Sequence, residues 1–305
     1  MKAPSEIVMP QREVAVQKLR PPRVRYNLGL PALLLAATMV HGVSPAAAQG
    51  GSVLLPNDAA PFEFPLASSR ASATVGRLIH LSRGESRFGA EWEGEPVLGE
   101  VWPLLALGRG RVPITLHLGS QVYGRFSLGD QASAHISSDW HVNAILTADF
   151  PHLRLALEGS HESSHLGDEY RDRFPGGRIN WSREIVGVWA AYTVSRVQLH
   201  ANVSYAAIDV LDLGRGAVAL AADYRGKRGG ILGGSAQPIL AVEAEAQAYT
   251  GWDLTWSGRA GMRFADPIGR RGLALLLTFL DGRSTQRQFY LGRSRYVGVE
   301  VRFDL

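Results

Sequence analysis

The chain has 305 residues, 46% hydrophobic and 20% charged, with 34 glycines, 16 prolines and no cysteine. That composition excludes a disulfide framework, a thiol nucleophile and a cysteine zinc site, and it is too apolar for a disordered chain. The formal charge of +4 arises in the first 48 residues, where Lys2, Arg12, Lys18, Arg20, Arg23 and Arg25 face only Glu6 and Glu13; beyond them the signs balance, so no nucleic-acid partner is expected.

Residues 28–40, LGLPALLLAATMV, form an apolar run behind the arginine-containing PPRVRYN and ahead of Ala46-Ala47-Ala48. This order predicts a cleaved secretory signal peptide over residues 1–48, with Met1 or Met9 as the start. The run is shorter than the ~20 residues of a spanning helix, so a membrane anchor is the weaker reading. Residues 49–70 are expected to form a periplasmic lead-in, and 71–305 a single domain.

From there the chain alternates with period two. Clear strands are predicted over 112–128, 139–150, 153–158, 196–205, 240–248, 254–264 and 297–305. Weaker ones lie near 71–81, 88–95, 100–108, 178–192, 215–224 and 272–281. In the 153–158 strand, Leu153, Leu155 and Leu157 alternate with Arg154 and Glu158, so odd positions are expected to face outward.

The strands are longer than the five or six residues usual in soluble sheets and match the length that crosses a bilayer at a tilt. Aromatic residues such as Trp140, Phe150, Tyr205, Trp256 and Phe264 recur near the ends of apolar faces, as in interfacial girdles. The last strand, with Phe303 on its apolar face, resembles the C-terminal assembly signal of outer-membrane barrels, which implies the barrel-assembly machinery as partner. It departs from that signal in ending at Leu305, where an aromatic residue is usual. The expected fold is therefore all-β, an antiparallel transmembrane β-barrel of about 12 strands in a Gram-negative-type outer membrane, with membrane lipids as its surroundings. With the C-terminus periplasmic, the connections at 108–111, 151, 193 and 265–271 come out short and periplasmic, and those at 129–136, 165–177 and 281–295 come out longer and extracellular. The exception is Arg225 to Gln237, long yet on the periplasmic side, which could hide part of a strand.

Two segments, LALEGSHESSHLGDEY over 155–170 and QFYLGRSRYVGVEVRFDL at the end, resemble the bacterial domain-of-unknown-function family 1207 from about residue 85 onward. The most specific part is Ser163, Ser164, His165, Leu166, Gly167, Asp168 and Glu169. The resemblance implies an exported outer-membrane protein and assigns no activity.

Chemistry is concentrated in Ser160-His161-Glu162-Ser163-Ser164-His165. His161 and Ser163 share the outward face, close enough for a base to meet a nucleophile. The pair is similar to the His-x-Ser-Asn-Gly motif of outer-membrane phospholipase A, which would make His161 the base, Ser163 the nucleophile and Asn180 or Ser182 the third member. Ser164 and His165 stand where that motif has Asn-Gly, and Asn180 has the parity expected to face the lumen, since Ile179, Trp181, Ile185 and Trp189 take the other. The alternative is a polar rim, where the strand leaves the bilayer and His165 to Glu169 open a loop.

Asp168, Glu169 and Asp172 could offer calcium three carboxylates but lack a glycine-punctuated loop; no metal or other cofactor is expected. Glu243, Glu245, Arg259, Arg263, Glu300 and Arg302 are expected to point inward, as an ion-paired filling or a pore lining. Three functions follow: a structural or transport-type envelope barrel, a lipid acyl-ester hydrolase using His161 and Ser163, or a secreted soluble β-protein that holds a small apolar ligand. Oligomeric state has no signature in the sequence.

Overall fold

The computed structural model describes residues 51–57, 59–71, 73–83, 88, 91–107, 110–129, 133–231, 234–265 and 272–304. The predicted signal peptide, both candidate starts and Leu305 lie outside the described residues. Strands in chain order are β1 (Val53–Leu54), β2 (Thr74–Arg83), β3 (Trp92–Ala106), β4 (Ile114–Ser127), β5 (His135–Asp149), β6 (Leu153–Leu166) and β7 (Ser182–Val194). They continue as β8 (Val197–Asp209), β9 (Gly216–Arg225), β10 (Gly229–Ile231), β11 (Gly234–Gln247), β12 (Leu254–Ala265), β13 (Gly272–Arg283) and β14 (Arg293–Asp304). A short helix, α1 (Asp168–Arg173), follows β6.

Twelve of these strands close into an antiparallel up-and-down barrel, with β14 pairing with β2 at the seam and β3 with β4. Closure leaves no strand of the wall without neighbours on both sides, and beyond Val97 the β2 side of β3 is paired, among the described residues, only by β1 at Leu105 and Ala106. The short β1 adds to the end of β3, and β10 folds back on β11, so the long connection after Arg225 is a hairpin extension of the wall.

Alternation sets the two faces. Each wall strand turns at least one large apolar side chain outward: Leu98, Leu220 and Leu277 are 67%, 66% and 66% exposed, and Val142, Val188, Val203 and Val297 are similarly bare. A continuous apolar band of this kind is unfavourable against water and is the lipid-facing surface of an outer-membrane-type barrel. Aromatic side chains edge it at both ends. Trp92, Trp140, Tyr205 and Trp256 ring one end, while Trp102, Phe150, Tyr192, Tyr224 and Phe303 ring the end where β14 finishes.

Inside, arginines and carboxylates form ion pairs, although the buried Glu243 is in none among the described residues. The Glu300 carboxylate accepts from Arg77, Arg259 and Arg302 at 2.6, 2.7 and 3.0 Å, and Arg125 holds Glu93 and Glu95 at 2.8 and 2.7 Å. Pairing offsets the desolvation that isolated charges would suffer here. The lead-in expected over 49–70 does not stay outside the wall: Phe62 to Ala71 lies within the cylinder. Phe62 and Phe64 pack with Val101, Ile145, Ala156 and Trp189, and the Leu66 amide donates to Asp223 at 3.0 Å. Arg70 reaches Asp139 at 2.6 Å and the Thr285 carbonyl in the β13–β14 connection, whose residues Ser284 to Arg287 are buried as well. The chain itself thus occupies much of the lumen, leaving a cavity lined by Ser69, Glu245, Thr250 and Arg287.

Two sequence expectations change. The candidates at 88–95 and 100–108 are one strand, β3, because Pro96, Gly99 and Pro103 interrupt its alternation without ending it. In β7 the buried, lumen-facing positions are Arg183, Gly187 and Ala191, in phase with the buried Trp181 just ahead of the strand, so the even positions, which the sequence reading turned inward, face out. Trp189 sits inside because Phe62 and Phe64 meet it there, ring centroids 6.1 and 5.3 Å away.

Candidate active site on the outer wall

Strand β6 carries two different polar sets. Ser160, Glu162 and Ser164 are buried in the lumen. The intervening His161 and Ser163 are partly exposed on the outer wall. Register places Ser163 between Trp140 of β5 and Ser182 of β7, and His161 between Val142 and Glu184. The corrected parity of β7 thus brings Ser182 and Glu184 to the same outer face.

His161 Nδ1 lies 2.8 Å from Glu184 Oε1, with the two side chains 44% and 30% exposed. An ionised carboxylate can only accept, so the proton of a neutral imidazole sits on Nδ1. Nε2 is then the basic nitrogen, and the neighbour two residues along the same face is Ser163. Asn180 is exposed and precedes β7, beyond the Ser163–Ser182 register pair; the side chain that meets His161 is Glu184. Sequence reasoning missed Glu184. A register count back from the tight β7–β8 turn would have put it on the outer face.

The row belongs to the aromatic girdle. Trp140, 49% exposed, flanks Ser163 on one side, and Ile208, 51% exposed, pairs with Glu184 on the other. Apolar wall therefore continues on both sides of the polar patch.

The lumenal side of β6 fixes this stretch of backbone. Glu162 accepts from Arg287 Nε at 2.9 Å and from Trp181 Nε1 at 2.7 Å. Ser164 Oγ donates to Asp139, whose other oxygen takes Arg70. Gly167 ends the strand against β5, where a Cβ would collide with the His135 carbonyl. His165 is exposed, while Asp168 and Glu169 open α1. Asp168 and Asp172 pair with Arg171 at 3.2 and 3.7 Å. Among the described residues no cluster of three or more histidine or carboxylate side chains could hold a metal ion.

Known structures share the architecture. The outer membrane phospholipase A from Escherichia coli superposes with a TM-score of 0.54 at 14% identity, over 80% of this chain and 99% of that one. The Salmonella typhi outer membrane phospholipase dimer with bound calcium gives 0.54 at 13% identity, over 81% and 93%. At such identities the likeness concerns the fold. A comparison with curated proteins finds no match. The sequence model for the family described as "Protein of unknown function (DUF1207)" matches residues 85–305, most of the wall, and the chain belongs to that family.

Proposed function

We propose that the protein is an outer-membrane lipid acyl-ester hydrolase, with Ser163 as nucleophile, His161 as general base and Glu184 as the group that orients it. The observation that carries this reading is the 2.8 Å contact between His161 Nδ1 and Glu184 on the lipid-facing wall, two residues from Ser163. In the lumen such a contact would be one more internal ion pair; on the outer face it is polarity placed among exposed apolar side chains, which a purely structural wall does not need.

Chemistry follows from the roles. Ser163 Oγ attacks the acyl carbonyl as His161 Nε2 takes its proton, and the imidazolium, held by Glu184, returns that proton to the departing alkoxide. Water, deprotonated by the same histidine, then releases the fatty acid from the serine. The girdle level suits this reaction, because lipid ester groups lie where acyl chains meet headgroups. Both fold and neighbours support an outer-membrane setting; in this reading the β6–β7 end faces the outer leaflet and the C-terminal strand is recognised during assembly.

A transport role is the competing reading, and the occupied lumen speaks against it. Phe62 to Ala71 and the loop residues Ser284 to Arg287 take up the space a solute would cross. A water-soluble ligand carrier would bury its apolar band, which here is bare.

The test is fatty-acid release from phospholipid in nanodiscs or mixed micelles, together with labelling by a fluorophosphonate. Wild type should release fatty acid and be labelled at Ser163, and S163A should do neither. A well-folded wild-type barrel that gives no release and no label overturns the assignment.

A further inference from the structure

Just beyond Ser163, toward the loop end of β6, the outer face changes character. His165 follows two residues later, about 7 Å along the strand, and pairs in register with Ser138 of β5. The His165 ring lies 3.4 Å from the Arg178 guanidinium. On the other side, His135 Nε2 lies 2.7 Å from Ser138 Oγ, its ring stacked on Phe126 at 4.9 Å. Two imidazoles, a hydroxyl and a guanidinium thus gather above the nucleophile.

No carboxylate among the described residues pairs with Arg178. Of the three acids of α1, Asp168 and Asp172 pair with Arg171, and Glu169 forms no ion pair with Arg178. An arginine of this kind offers a planar fork matched to phosphate oxygens, and the imidazole and hydroxyl donors would complete such a shell.

We propose that His135, Ser138, His165 and Arg178 form a phosphate-binding subsite, so that the substrate is an acyl-ester lipid carrying a phosphate outward of the scissile bond. The inference rests on the hydrolase reading and sharpens it from any lipid ester to a phosphate-bearing one. Geometry supplies the match: a lipid phosphate sits outward of the ester carbonyls, and the cationic group sits outward of Ser163 on the same wall.

Binding can be separated from turnover by using the intact S163A barrel in nanodiscs. Native mass spectrometry would read the lipids retained from an equal mixture of phosphatidylglycerol, lipid A and diacylglycerol. Retention should favour phosphate-bearing lipid over diacylglycerol by about tenfold, the scale of a charge-assisted contact. R178E should bring that ratio near one, and R178K should recover part of it. The phosphatidylglycerol and lipid A arms identify which source of phosphate is held. Equal retention of charged and neutral lipid by the parent, or a preference that survives R178E, overturns the subsite. If the preference holds but the wild type cleaves no ester, the hydrolase reading fails and the subsite stands. If esters are cleaved at equal rates with and without phosphate, the reverse is true.

Discussion

The two faces of β6 use the same side chains under opposite constraints. On the lumenal face, Ser164 and Glu162 are buried and engaged: Ser164 with Asp139, Glu162 with Arg287 and Trp181. On the outer face, Ser163 and the His161–Glu184 pair stay partly exposed beside Trp140 and Val142. Inside, these two polar groups are tied to buried neighbours that would lose their partners. Outside, a polar group has no structural debt to settle, since leucine or valine would suit the lipid better. One residue of strand parity separates a wall fastening from the proposed nucleophile.

Substitutions on the two faces should therefore fail in different assays. The largest effect expected is S163A, which should lower fatty-acid release by about a thousandfold or more while the barrel keeps its heat-resistant migration in gels. E184A should cost less, about ten- to a hundredfold in kcat, since His161 stays but loses its orientation. A kcat unchanged in E184A would separate that contact from catalysis.

The lumenal face should report on folding. E162A leaves Arg287 buried without its carboxylate and should destabilise the barrel by about 3–5 kcal/mol, read as a lowered midpoint in urea titrations in lipid vesicles. If E162A were as stable as wild type, the contrast between the faces would break. L277R puts a charge at a position 66% exposed in the apolar band and should cost about 2–4 kcal/mol in the same titration if that band meets lipid. S164A is the smallest, about 1–2 kcal/mol for one buried hydroxyl that held Asp139.

Much of this contrast was legible before any coordinates. Strand β6 alternates cleanly, so the outward parity of His161 and Ser163 could be read from Leu153, Leu155 and Leu157 alone. The twelve-strand closed wall followed from long alternating segments and the need to avoid an edge. Strand β7 was not legible, because Trp181 and Trp189 look like lipid-facing residues. Their inward direction depends on Phe62, Phe64 and Tyr249, contacts distant in sequence that no local period records. That misreading hid Glu184. Residues 62–71 were opaque for the same reason: a segment without its own ladder shows no period, and only its partners Asp139, Asp223 and Arg302 reveal where it lies.

The seam between β14 and β2 has a consequence for biogenesis. The peptide ahead of β2 is held partly by the two strands that meet at this seam, so if they pair last its surroundings are completed only as the cylinder shuts. Leu66 bonds to β9 through Asp223 and to β14 through Arg302, one partner formed in mid-chain and the other supplied by the closing strand. Pairing of the final hairpin would then act as a latch on this segment.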